Sequence, residues 1–152
     1  MFSVDKESRS NFYKYLAKLN FEAAKAADKE IGTWPGYGLA APPPVMTLCA
    51  HSIELSLKAY LLDRGVEESE VKRHSHNLVK LWDACVCEGA DPEMVSSEVL
   101  GIISDLLMSN RLRYGEESSL GQLPYFGPLS QLCEAALNLC GAPSLADIFQ
   151  EK

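Results

Sequence analysis

The stretch from Val45 to Arg64, VMTLCAHSIELSLKAYLLDR, constrains this chain more than any other. It is apolar nearly all the way round, and Gly65 follows as a stop. A helix with apolar residues on most sides has to be surrounded by neighbours. The remaining chain therefore has to supply elements that pack around this one, and the sequence offers them as helices. From Ser8 to Ile31, Phe12, Tyr15, Leu16, Leu19, Ala23, Ala26 and Ala27 recur at helical spacing and predict one core-facing stripe, with Gly32 as terminator. Asn77 to Val86 places Leu78, Leu81, Trp82 and Cys85 on one face, with Ser75 or His76 as the expected cap.

Asp91-Pro92-Glu93 reads as a helix start. Val95, Val99, Ile102, Ile103, Leu106 and Leu107 carry that fourth helix toward Asn110. A fifth runs from Pro128 to Cys140, with Leu129, Leu132, Ala136, Leu137 and Cys140 inward and Gly141 as terminator. Ser144 is placed to cap a short last turn holding Leu145, Ile148 and Phe149. Between the helices, Val66 to Ser75 reads as a charged connector and Glu116 to Gly127 as a loop. Gly32 to Pro44 packs three Gly and four Pro into thirteen residues. It reads as a non-helical lid, extended at Pro42 to Pro44 and pinned by Trp34 and Tyr37. No alternating strand pattern, repeat or linker interrupts this series. The expectation is one all-α domain over residues 1–152, an antiparallel bundle of four to five helices.

The chain is long enough for a hydrophobic core without staples. Its net charge of −7 argues against coating nucleic acid or binding an anionic membrane, though a local basic pocket is compatible with it. Five cysteines, an odd number set in apolar helical patterns, fit buried thiols in a reducing cytoplasm. The N-terminus lacks the apolar core of a signal peptide, and no apolar run approaches the ~20 residues that span a bilayer. A cytoplasmic location is expected. Cys85 and Cys87 would point about 160° apart on a helix, so neither they nor His74 and His76 suggest zinc. No metal or other cofactor is expected.

Three groups of residues carry possible chemistry. His51, Glu54 and Lys58 fall within about 60° of one another on the central helix. The plain reading is a Glu–Lys pair at i, i+4. On a buried helix, however, such charges call for a further polar partner from another element. His76, beginning the third helix, is a candidate for ligand contact or proton transfer as well as for capping. Arg111 and Arg113, closing the fourth helix, would complement its dipole and could also hold a phosphate or carboxylate, while Tyr114 could stack on a base or on the Arg plane.

In their order and spacing these motifs resemble the HEPN family, the nucleotide-binding domain of higher eukaryotes and prokaryotes. The residues carrying the likeness are His51 to Leu62, then His76-Asn77-Leu78 with Leu81, then Arg113-Tyr114. It spans about Asn11 to Leu139. The resemblance implies a helical bundle, pairing into a homodimer and, in many members, metal-independent ribonuclease activity. That activity uses an Arg followed four to six residues later by His. No His follows Arg111 or Arg113 here. The resemblance therefore points to the branch without that signature, in which nucleotide binding is proposed and a small nucleotidyltransferase is a common partner. Three functions follow. One is a module binding a nucleotide or RNA end through a polar cleft. Another is a non-catalytic interaction or toxin–antitoxin-type partner. The third is an atypical ribonuclease using His76.

Overall fold

The computed structural model describes residues 6–35, 41–108 and 125–150. Its described elements are α1 (Lys6–Ile31), α2 (Pro43–Asp63), α3 (Glu68–Arg73), α4 (Leu78–Cys87), a 3-10 turn (Pro92–Met94), α5 (Ser97–Met108), α6 (Phe126–Cys140) and α7 (Leu145–Gln150). The fold is all-helical among these residues. None of the described helices is long and apolar enough to cross a membrane.

α2 is the central element, as its composition requires. Val45, Cys49, Ala50, Ile53, Leu57, Ala59 and Leu61 are almost wholly buried, and α1, α3, α4, α5 and α6 all pack on it. α4 turns Leu78, Leu81, Trp82 and Cys85 inward, and α6 turns Leu129, Leu132, Ala136, Leu137 and Cys140 inward, both as the spacing predicts. Gly141 ends α6 at φ 70°, and Gly65 follows α2 at φ 88°. Glycine meets no steric penalty in that left-handed region. Ser144 does begin the last helix. Its Oγ accepts from the Asp147 N–H at 3.1 Å, and Asp147 Oδ2 accepts from the Ser144 N–H at 3.1 Å. This reciprocal pair satisfies donors at the helix start.

The first helix faces the other way from its expected stripe. Ser10, Ala17, Phe21 and Ala24 are buried, with Tyr13 and Ala27 packed beside them. Phe12, Tyr15, Leu19, Ala23 and Ala26 are exposed. The reason is the closeness of α1 to α2, which suits small residues. The Ser52 hydroxyl donates to the Ala17 carbonyl at 2.8 Å. Ser10 Oγ bonds Asp63 Oδ1 at 2.5 Å and the Ala59 carbonyl at 3.3 Å. Lys14 then pairs with Asp63 Oδ2 at 2.7 Å. Buried serines bonded to helix carbonyls are satisfied polar groups and carry little penalty.

Four local expectations also change. Pro43 and Pro44 lie in the first turn of α2 rather than in an extended run, because proline's fixed φ suits positions whose N–H has no helical acceptor. Trp34 is 54% exposed and does not pin its loop, and Tyr37 lies outside the described residues. The charged connector contains α3, anchored by the single buried side chain Val71. Asp91 caps only the 3-10 turn, its side chain accepting from the Glu93 N–H at 3.0 Å. Val95 is then extended, and α5 starts afresh at Ser97. α5 is described as far as Met108; Asn110 and most of the following loop lie outside the described residues.

Four of the five cysteines are buried, but Cys87 is exposed, contrary to a wholly buried set. Burial pushes the Cys85 thiol up to about 12, with Cys140 and Glu88 adding to the shift. Cys133 is raised well above the ordinary range by burial and by Cys49 beside it. Cys140 is raised by burial, partly offset by its bond with Ser56. These groups hold protons in the folded chain that the unfolded chain releases above about pH 9. Their contribution is complete below that pH and is lost as pH rises toward 12. Urea midpoints measured between pH 7 and 11 should therefore fall steeply above pH 9. A flat profile there would contradict the burial of these thiols.

Candidate functional site

Glu54 sits on α2 with its side chain only 8% exposed, between two cations or potential cations. Lys58, one turn on, donates from Nζ to Glu54 Oε2 at 3.4 Å. His76 reaches across from the turn before α4, its Nδ1 lying 2.6 Å from Glu54 Oε1. The further polar partner required by a charged pair on a buried helix is thus His76. A carboxylate oxygen accepts, so in the tautomer that carries a proton on Nδ1 the ring donates to Glu54. The other ring nitrogen, Nε2, is left for the solvent side, and the His76 side chain is 59% exposed.

The turn preceding α4 delivers that ring. Ser75 adopts φ 52°, the one positive-φ residue other than glycine among those described. For a residue with a side chain this conformation carries strain, which surrounding contacts must hold. Asn77 then caps α4, its side chain accepting from the Lys80 N–H at 3.1 Å. The cap is therefore neither Ser75 nor His76. Asparagine's short acceptor reaches the free N–H groups of the first turn, which leaves His76 able to turn toward α2. Ser104 of α5 accepts from the Leu78 N–H at 3.2 Å and ties the same corner to a third helix.

The structure thus brings together three predicted residues, Glu54, Lys58 and His76. His51, on the same side of α2, is exposed and lies outside the bonded cluster described here. Arg111, Arg113 and Tyr114 lie outside the described residues. Two contributors were missed by the sequence reading: Asn77 as cap and Ser75 as the left-handed corner. The Asn77–Leu78 junction was a legible cap signal, whereas nothing in the sequence marks the backbone sign at Ser75. Among the described residues no group of three or more His, Cys, Asp or Glu is placed to hold a metal ion.

Chemically, the arrangement is a buried acid that fixes one face of an exposed imidazole beside an amine. It can bind an anion through Lys58 and protonated His76, or pass a proton at Nε2. Comparison of the chain with protein-family models, curated proteins and solved structures returns no match.

Proposed function

We propose that this chain is a HEPN-like antiparallel helical bundle that binds a nucleotide or RNA end over Lys58 and His76. The observation that carries the reading is the Glu54–His76 contact, which orients an exposed ring beside a lysine on the central helix. Lys58 and His76 meet the phosphate. On the motif resemblance alone, Arg111 and Arg113 would add guanidinium forks and Tyr114 a stacking face. A cytoplasmic setting and a small nucleotidyltransferase-type partner belong to the same reading, on the strength of the motif resemblance.

Calorimetric titration of adenine and guanine nucleotides and of a short 5′-phosphorylated RNA tests it. Binding should be detectable for at least one. Arg113→Ala and Lys58→Ala should each weaken it about tenfold, the loss expected for a charge-assisted hydrogen bond. Absence of binding to all of these probes would sink the proposal.

The same dyad supports a second reading, a metal-independent ribonuclease in which His76 Nε2 takes the proton from the attacking hydroxyl. It requires RNA cleavage that survives chelation and disappears in His76→Ala. A non-catalytic toxin–antitoxin-type role predicts neither nucleotide binding nor cleavage.

A further inference from the structure

Charge is spread unevenly along this chain. From Leu81 to Met108 there are six carboxylates and no Lys, Arg or His, so this stretch supplies most of the net charge of −7. It forms most of α4, the 3-10 turn and α5. Between α4 and the start of α5 runs an open groove of about 960 Å³.

The groove has an apolar floor. Trp82 and Val95 line it while almost wholly buried, and Val86 lines it half-buried. Its margins are acidic on both sides. Asp83 stands on the α4 wall, and Glu93 and Glu98 stand on the wall made by the 3-10 turn and α5. All three are exposed, and among the described residues none of them is in an ion pair. No Lys, Arg or His lines the groove.

The start of α5 would by itself favour an anion. Here Glu98 already occupies the first turn, and Ser96 Oγ accepts from the Val99 N–H at 3.4 Å. The carboxylates therefore set the sign of the groove. A cleft lined by one sign of charge, with walls of low dielectric, concentrates the opposite charge. The floor adds a second demand, since apolar surface gains from being covered. A metal ion answers the charge but leaves the floor uncovered, and nucleic acid is repelled by the margins. A peptide with an apolar side chain between basic ones meets both demands.

We propose that this groove docks a basic segment of another protein. An apolar side chain of that segment sits over Trp82 and Val95. Lys or Arg on either side of it meets Asp83 on one wall and Glu93 and Glu98 on the other. Charges at the margin act mainly on encounter and weaken with salt, whereas the apolar anchor slows release. The groove lies along α4 beyond Leu81, while His76 precedes that helix, so this surface is separate from the proposed nucleotide site.

Anisotropy of short fluorescent peptides titrated with the full chain tests this. Lysines around a central leucine pair should bind at low ionic strength and weaken at least about tenfold at high salt. Replacing the leucines by glycine, or the lysines by glutamate, should also cost at least about tenfold. In Trp34→Phe, which leaves Trp82 as the remaining tryptophan, the Lys–Leu peptide should shift the emission. The combined variant Asp83→Asn, Glu93→Gln, Glu98→Gln should bind about tenfold more weakly, because exposed ion pairs contribute little singly and add up. Its circular dichroism should not change, since all three side chains are exposed. A matched variant at other exposed carboxylates, Glu7→Gln, Glu30→Gln, Glu70→Gln, should bind nearly as the wild type does. Failure of the Lys–Leu peptide to bind overturns the proposal. So do equal losses in the two triple variants, which would mean general attraction to an acidic protein. Equal binding of the Lys–Gly peptide, or displacement by equimolar spermine or single-stranded RNA, overturns it as well. These readouts do not involve nucleotide, so they stand or fall apart from the proposed function.

Discussion

Replacing Phe21 by alanine should lower the unfolding free energy by about 4 kcal/mol, the range for an aromatic removed from a packed core. Phe21 is 1% exposed and lies on the face of α1 that meets the rest of the protein. For a chain of this size the loss corresponds to a melting temperature lower by roughly 8–16 °C. The matched control is Phe12→Ala. Its side chain is mostly in water, so the change should stay within about 0.5 kcal/mol. Paired denaturant titrations read the contrast directly. Equal losses at the two positions would mean that α1 presents a different face to the core.

Glu54→Ala should cost about 3 kcal/mol, through a different cause. Removing one member of a buried ionic cluster leaves its partner without compensation. Lys58, largely covered, would lose its carboxylate, and His76 its orienting acceptor. Glu54→Gln keeps one acceptor oxygen and turns an NH2 donor toward the other neighbour, so it should lose less than the alanine variant while still losing one of the two contacts. A change below about 0.5 kcal/mol for the alanine variant would identify an ordinary solvated i, i+4 pair instead. Nucleotide titration of Glu54→Gln separates the two contributions. If the carboxylate also positions His76, binding weakens even where stability holds.

These two residues show why one part of the molecule was legible and another was not. The role of α2 followed from hydrophobicity alone, because a helix apolar on all sides has only one kind of place in a fold. The Glu54–Lys58 pair was equally visible, since four residues make one helical turn. Helix α1 was ambiguous because it is apolar on two faces. The larger residues, Phe12, Tyr15 and Leu19, drew the reading to one side. The core took the side where Ala17, Ala24 and Ser10 permit close approach to α2, and Ser52 is bonded to Ala17 there. Residue size outweighed hydrophobicity, and that balance depends on the partner helix.

Helix α3 was hidden by its charges, because a single buried valine leaves no periodicity to detect. The Glu54–His76 link spans 22 positions and depends on a left-handed serine. A long-range contact of that kind has no local signature. Only the need for some further polar partner could be read beforehand.

The unequal exposure of the thiols makes the folded chain a counter of its own openings. A maleimide dye should attach once to the native protein, at Cys87, next to the groove that contains Trp82. Each further dye records a transient exposure of Cys49, Cys85, Cys133 or Cys140. Since Cys49 and Cys133 lie on α2 and α6, and Cys85 on α4, the order of labelling would map which helix leaves the central one first.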